Sequence, residues 1–273
     1  MIMKQEEKVL TETVVLKLGL DKVDVITSDM IEGYTRIGYS AFVGCSQLTS
    51  IDIPNSVTSI GYSAFAGCYH LTSINIPNSV TSIEGSAFED CTSLAFINIP
   101  NSVTSIGSCA FAWCSSLTTI TIPNSVTVIG ESTFWYCSLL TSVTIPNSVI
   151  YIRQNAFYGC NKLREVVIGD KAFEASEVAN GKCKAYKAFN ADLTCRSFQY
   201  EEGKTYEIEG EPKLCKHGFH ACLRLTDVFN YYCGAIGKII VVHEVELEGL
   251  SKETNEDDSK VVAKKITIGK RIL

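Results

Sequence analysis

A phenylalanine returns every 23 residues, at Phe42, Phe65, Phe88, Phe111, Phe134 and Phe157. A cysteine follows three residues later each time, at Cys45, Cys68, Cys91, Cys114, Cys137 and Cys160. Between copies runs Ile-Pro-Asn-Ser-Val, beginning at Ile53, Ile76, Ile99, Ile122 and Ile145. A unit this short cannot bury its own apolar face, so successive copies must stack into a solenoid. A solenoid presents a surface rather than enclosing a pocket, which points to binding.

One unit runs from Leu48 to Cys68. In Thr49–Ile53, apolar Ile51 and Ile53 alternate with Ser50 and Asp52, the period-2 pattern of a short half-buried strand. Pro54 has no N–H to give a ladder and ends it. Asn55 and Ser56 supply turn chemistry. Val57, Ile60, Ala64, Phe65 and Cys68 follow at irregular spacing, which reads as a tightly wound coil with little regular structure. Stacking at ~4.8 Å per strand gives an arc of roughly 25–30 Å. The Phe series becomes an aromatic ladder in the core. Asn55, Asn78, Asn101, Asn124 and Asn147 become an amide ladder at the turn.

The motifs Leu-x-x-Ile-x-Ile-Pro, Val-x-x-Ile and Ala-Phe-x-x-Cys resemble the BspA-like leucine-rich repeats over about residues 25–168. The resemblance implies a right-handed solenoid with strands on its concave side, and adhesion or protein binding as its role. Those relatives are commonly exported, whereas no export signal is visible here: Met1-Ile-Met-Lys-Gln-Glu-Glu is polar and acidic, without an apolar run behind a basic start.

Composition divides the chain. Residues 37–168 carry nine charged side chains, six acidic and three basic, while residues 169–273 carry 17 acidic and 16 basic. The expected organisation is an N-terminal cap with a degenerate first coil (1–36), the repeat solenoid (37–168), a linker (169–183) and a small α+β domain (184–273). In the first coil, Gly33-Tyr34-Thr35-Arg36-Ile37 echoes Ser-Val-Thr-Ser-Ile. Val14–Leu18 caps it as either strand or helix.

A net charge of −6 is opposite to a nucleic-acid footprint. No apolar stretch approaches the ~18 residues of a membrane span. The expected compartment is the cytoplasm, the cell surface the alternative, and the repeat thiols are read as reduced. A row of identical cysteines is not a tetrahedron, so it reads as small buried packing rather than a zinc site. No metal or cofactor is expected.

Two surfaces are candidates for a protein partner. The first is the polar strip of outward strand positions: Ser50/Asp52, Ser73/Asn75, Phe96/Asn98, Thr119/Thr121, Ser142/Thr144 and Glu165/Val167. The second lies between the Phe and Cys ladders. There the two intervening residues are Val-Gly, Ala-Gly, Glu-Asp, Ala-Trp, Trp-Tyr and Tyr-Gly in successive copies. Stacking sets Trp113 over Tyr136 and Trp135 over Tyr158. Small residues suffice in the first two copies, so the coil does not demand these rings. Clustered aromatics mark an interface, covered either by the C-terminal domain or by an external partner.

In the C-terminal segment, Lys184–Phe189, Gly203–Ile208 and Ile239–Leu247 read as strands, Gly218–Cys222 as a sharp turn into a short strand, and Val261–Ile268 as a last strand or a helix–strand pair. Thr226–Tyr232 reads as a short helix with Thr226 as its N-cap. The run Tyr186–Tyr200, with Gly-Lys-Thr-Tyr, Leu-Cys-Lys-His-Gly-Phe-His-Ala-Cys and Asp-Val-Phe-Asn-Tyr-Tyr, resembles an uncharacterised domain that ends repeat proteins of gut Bacteroidales and their phages. That resemblance implies a context and no activity. Cys215, His217, His220 and Cys222 do not have a usual zinc-finger spacing. The order Arg196, His220, Tyr231 and Glu244 (or Glu246) also resembles ADP-ribosyltransferase-like folds, which would make this domain an enzyme targeted by the repeats. The competing reading keeps Arg196 and His220 as structural hydrogen-bonding residues.

Overall fold

The computed structural model describes residues 8–169, 171–174, 182–190, 194–195, 198–207, 209, 219–222, 240–250 and 260–271. The chain divides into two compact units, Met1–Leu163 with Val167–Lys171, and Arg164–Val166 with Ala172–Leu273.

The first unit is a solenoid in which each 23-residue copy is one coil. Ser50–Asp52 and Ser73–Asn75 pair in parallel, residue for residue one repeat apart, with Ile51 opposite Ile74. Val25–Ile26 joins the other side of Ser50–Asp52, so the parallel stacking reaches back to these residues. Farther along, Thr119–Thr121 pairs with Ser142–Ile145 in the same register. The sheet is interrupted between these blocks, because 95–99 forms no strand. The side-chain alternation persists there: Ile97 and Ile99 are buried while Phe96 is 63% exposed.

The rest of the coil is more regular than its spacing suggests. A second narrow ladder runs through Arg36–Ile37, Ser59–Ile60, Ser82–Ile83 and Ser105–Ile106, all parallel. Val128–Ile129 and Tyr151–Ile152 form a matching pair. The Ser-Val-Thr-Ser-Ile motif builds this ladder. The Thr81 amide and hydroxyl both donate to the Thr58 carbonyl one coil earlier, at 2.9 and 3.2 Å. The Ser79 hydroxyl donates to the Val57 carbonyl at 2.6 Å. Gly107 fits because the coils approach so closely here: a Cβ would stand 2.4 Å from the Gly85 nitrogen and 2.6 Å from the Glu84 carbonyl carbon.

The core is the Phe ladder. Neighbouring rings stack at 5.2–5.5 Å between centroids, within 10° of parallel, and all six are buried. Beside it the thiols of Cys68, Cys91, Cys114, Cys137 and Cys160 each donate to the carbonyl of a Phe 26 residues earlier, at 3.1–3.2 Å. The cysteines therefore link coils as well as fill space. At the start of the solenoid, Val9–Leu10 pairs with Arg36–Ile37. Val14–Leu18 falls in a helix, Glu12–Leu18, closed by Gly19 in the left-handed conformation.

The second unit is β-rich. Lys182–Asn190 pairs antiparallel with Ile240–Leu250 on one side and Phe219–Cys222 on the other. Lys260–Arg271 pairs antiparallel with both of these, and with Thr205–Glu207. The strands Lys182–Asn190, Phe219–Cys222, Ile240–Leu250 and Lys260–Arg271 thus close a ring of pairings, and Val245, Leu247, Ala263, Ile266 and Ile268 on the last two are buried. The helix expected at Thr226–Tyr232 lies outside the described residues.

Candidate functional site

The segment between Phe and Cys turns sharply in every coil, and the residue before each Cys has a left-handed backbone. Glycine takes it at Gly44, Gly67 and Gly159, with φ of 66°, 71° and 77°. Asp90, Trp113 and Tyr136 take it at 61°, 62° and 55°. Aspartate is tolerated in this region, whereas a bulky aromatic is a genuine outlier. Such positions cost of order 1–3 kcal/mol and concentrate at functional sites.

The turn aims these residues along one edge of the solenoid. Trp113 stacks on Tyr136 at 4.4 Å with 4° between planes. Trp135 meets Trp113 edge-on at 5.5 Å and Tyr136 at 5.2 Å. The second expected pair resolves differently, since Tyr158 meets Tyr136 edge-on at 5.6 Å. The four rings form one cluster rather than two stacks. Trp113 is 40% and Tyr158 43% exposed. Gly159 is required beneath it, because a Cβ would sit 2.8 Å from the Tyr136 ring.

The outward strand positions form a separate face. Phe96, Asn98 and Thr119 are all exposed, with Phe96 and Asn98 on one coil and Thr119 on the next. The Asn75 amide donates to the Asp52 carboxylate at 2.7 Å, a link between coils. Near the last coils a polar cleft of about 850 Å³ is lined by Asn101, Asn124, Asn147, Thr121 and Thr144. It is built from the Asn-Ser turn that every coil repeats. Sequence reasoning misses a further aromatic pair, Tyr39 and Tyr62, which stack at 5.8 Å while both are exposed. Its signal is the Gly-Tyr-Ser-Ala-Phe repeated in two coils.

The repeat thiols are chemically quiet. Burial pushes Cys45 up to about 11 and Cys68 to about 12. Burial likewise raises Cys91, Cys114 and Cys137. Thiolates are the reactive form, so these side chains are packing and hydrogen-bonding groups. Among the described residues no cluster of three or more His, Cys, Asp or Glu is arranged to hold a metal ion.

Of the residues considered for an enzyme, Arg196 and Tyr231 lie outside the described residues, as do Cys215 and His217. His220 is on strand Phe219–Cys222, opposite Val262, and Glu244 is on strand Ile240–Leu250, opposite Tyr186. Both strands flank Lys182–Asn190. Among the described residues no helix is long and apolar enough to cross a membrane.

The BspA type Leucine rich repeat region, in six copies, matches residues 24–139 and 60–187. The chain belongs to the BspA-type leucine-rich repeat family. The Domain of unknown function (DUF7666) matches residues 183–273. Among solved structures, a leucine-rich repeat protein of T. pallidum (TpLRR) is 35% identical, with a TM-score of 0.52 over 55% of this chain and 71% of that one. A leucine-rich repeat protein of Bacteroides ovatus ATCC 8483 is 36% identical, with a TM-score of 0.50 over 56% of this chain and 39% of that one. No curated protein matches the chain. BspA-type repeats are, in general, protein-interaction or surface scaffolds.

Proposed function

We propose that this chain is a non-enzymatic protein–protein interaction scaffold of the cytoplasm, and that its partner docks on Trp113, Trp135, Tyr136 and Tyr158. The observation that carries this reading is the pair of aromatic residues held in left-handed backbone, Trp113 at 62° and Tyr136 at 55°. Three other coils place glycine there. The bulky side chains oppose the backbone and are not needed for the core, which the Phe ladder fills. Half-exposed rings in mutual contact are the anchors that binding surfaces favour. The concave positions Phe96, Asn98 and Thr119 make a secondary contact area in this reading. A reducing compartment suits the seven free thiols among the described residues.

The test is capture of partners by the whole chain. Trp135→Ala is expected to weaken a captured partner by ~2 kcal/mol or more. Unchanged affinity for every captured partner would remove the cluster as the docking surface.

A further inference from the structure

The indole of Trp113 has one face on Tyr136, and the register identifies what stands on the other. Asp90, Trp113 and Tyr136 are successive members of one 23-residue series. The Asp90 amide donates to the Ala112 carbonyl at 2.8 Å, and the Trp113 amide to the Trp135 carbonyl at 2.7 Å, on consecutive rungs. With Trp113 and Tyr136 parallel, the other indole face is turned toward the coil that carries Asp90, one rung or about 4.8 Å away. Glu89 occupies the adjoining series, that of Trp135 and Tyr158. Both carboxylates are half-buried. Burial holds the Cys114 thiol up, a hydrogen bond with the Cys91 backbone opposes this, and Asp90 and Glu89 add to the rise.

Glu89 and Asp90 lie one coil before Trp113, in a stretch, 37–152, that carries no lysine or arginine. A part-exposed indole with a carboxylate on the next rung suits a guanidinium. The planar cation lies on the ring while its N–H fork reaches the carboxylate. A neutral anchor would cover the same rings but leave two carboxylates desolvated without a partner.

We propose that Trp113, Asp90 and Glu89 form a receiving site for an arginine side chain on a basic segment of the partner protein. This rests on reading the aromatic cluster as the interaction surface, and it specifies the chemistry that surface selects.

The experiment titrates the whole chain with acetyl-Gly-Arg-Gly-Arg-Gly-amide and with its citrulline counterpart, which keeps the shape and removes the charge. Indole fluorescence and calorimetry follow binding. The arginine peptide is expected to bind about tenfold tighter than the citrulline peptide. That preference is expected to vanish in Glu89→Gln/Asp90→Asn and in Trp113→Gly. Glycine fits this backbone, as Gly44 and Gly67 do, so the second variant keeps the fold, which circular dichroism checks. Equal affinity for the two peptides, no binding of the arginine peptide at millimolar concentration, or a preference that survives the double substitution would overturn the site. A captured partner lost with Trp135→Ala but indifferent to Glu89→Gln/Asp90→Asn would overturn the arginine site alone. A partner indifferent to both would overturn the docking surface as well.

Discussion

Cys45, Cys68, Cys91, Cys114 and Cys137 sit where the thiol is better protonated than ionised, and this has a pH signature. Cys45 and Cys68 titrate near about 11 and about 12 in the folded chain, chiefly through burial, against a usual thiol value of ~8.5. Below the usual value both states carry neutral thiols and the effect is fully present. Above it the unfolded chain ionises first, so stability falls as pH rises from about 9 through about 12. Denaturant melts between pH 8 and pH 11 are expected to show this loss, and Cys68→Ala to show less of it. A disulfide exchange reagent at pH 8 is expected to find Cys109 first among the repeat thiols, since it is half-exposed and the other six are buried. Those six are expected to react only after unfolding. Fast native reaction of Cys114 would contradict the packing. The buried role of these cysteines is legible in the sequence, because a row of identical residues has no metal geometry. Their donation to the Phe carbonyls is not, since it depends on the offset between coils. The left-handed position is half-legible: Gly44, Gly67 and Gly159 mark it in three coils, and Trp113 and Tyr136 conceal it in two others.

The coil shows the same division between what pattern reveals and what stacking adds. Alternation in Ser50–Ile53 announces a strand, and Pro54 announces its end. The second ladder escapes sequence reasoning because two-residue strands such as Ser59–Ile60 are too short for alternation to be seen. Beside them the Thr and Ser hydroxyls add bonds to the neighbouring coil. The break at 95–99 is equally hidden, since its apolar alternation is intact. The Phe ladder is legible in full. Phe111 is buried between Phe88 and Phe134, so Phe111→Ala is expected to cost ~3–5 kcal/mol through the cavity it leaves. Urea melts of the two proteins measure it, and a loss below ~1 kcal/mol would show that the ladder is not core.

For the molecule as a whole, repetition makes the solenoid readable from residue spacing alone. The second unit has no period, so only its long β-branched runs are readable. Lys182–Asn190, Ile240–Leu250 and Lys260–Arg271 fall where apolar alternation places them, and each extends past its expected C-terminal end. Their closure into a ring of pairings follows from long-range register, which no local pattern encodes. The candidate site is legible as residues but not as geometry. The 23-residue register makes the four rings neighbours, yet their arrangement into one cluster depends on the backbone at Trp113 and Tyr136. The central claim is that a protein partner covers this cluster. Site-specific photo-crosslinking tests it most directly, with a benzophenone amino acid placed at Tyr158 in one whole-chain variant and at Phe96 in another, each irradiated in the source cells. The account predicts a discrete protein adduct from position 158, stronger than any from position 96. Adducts from position 96 alone, or none from 158, would contradict it.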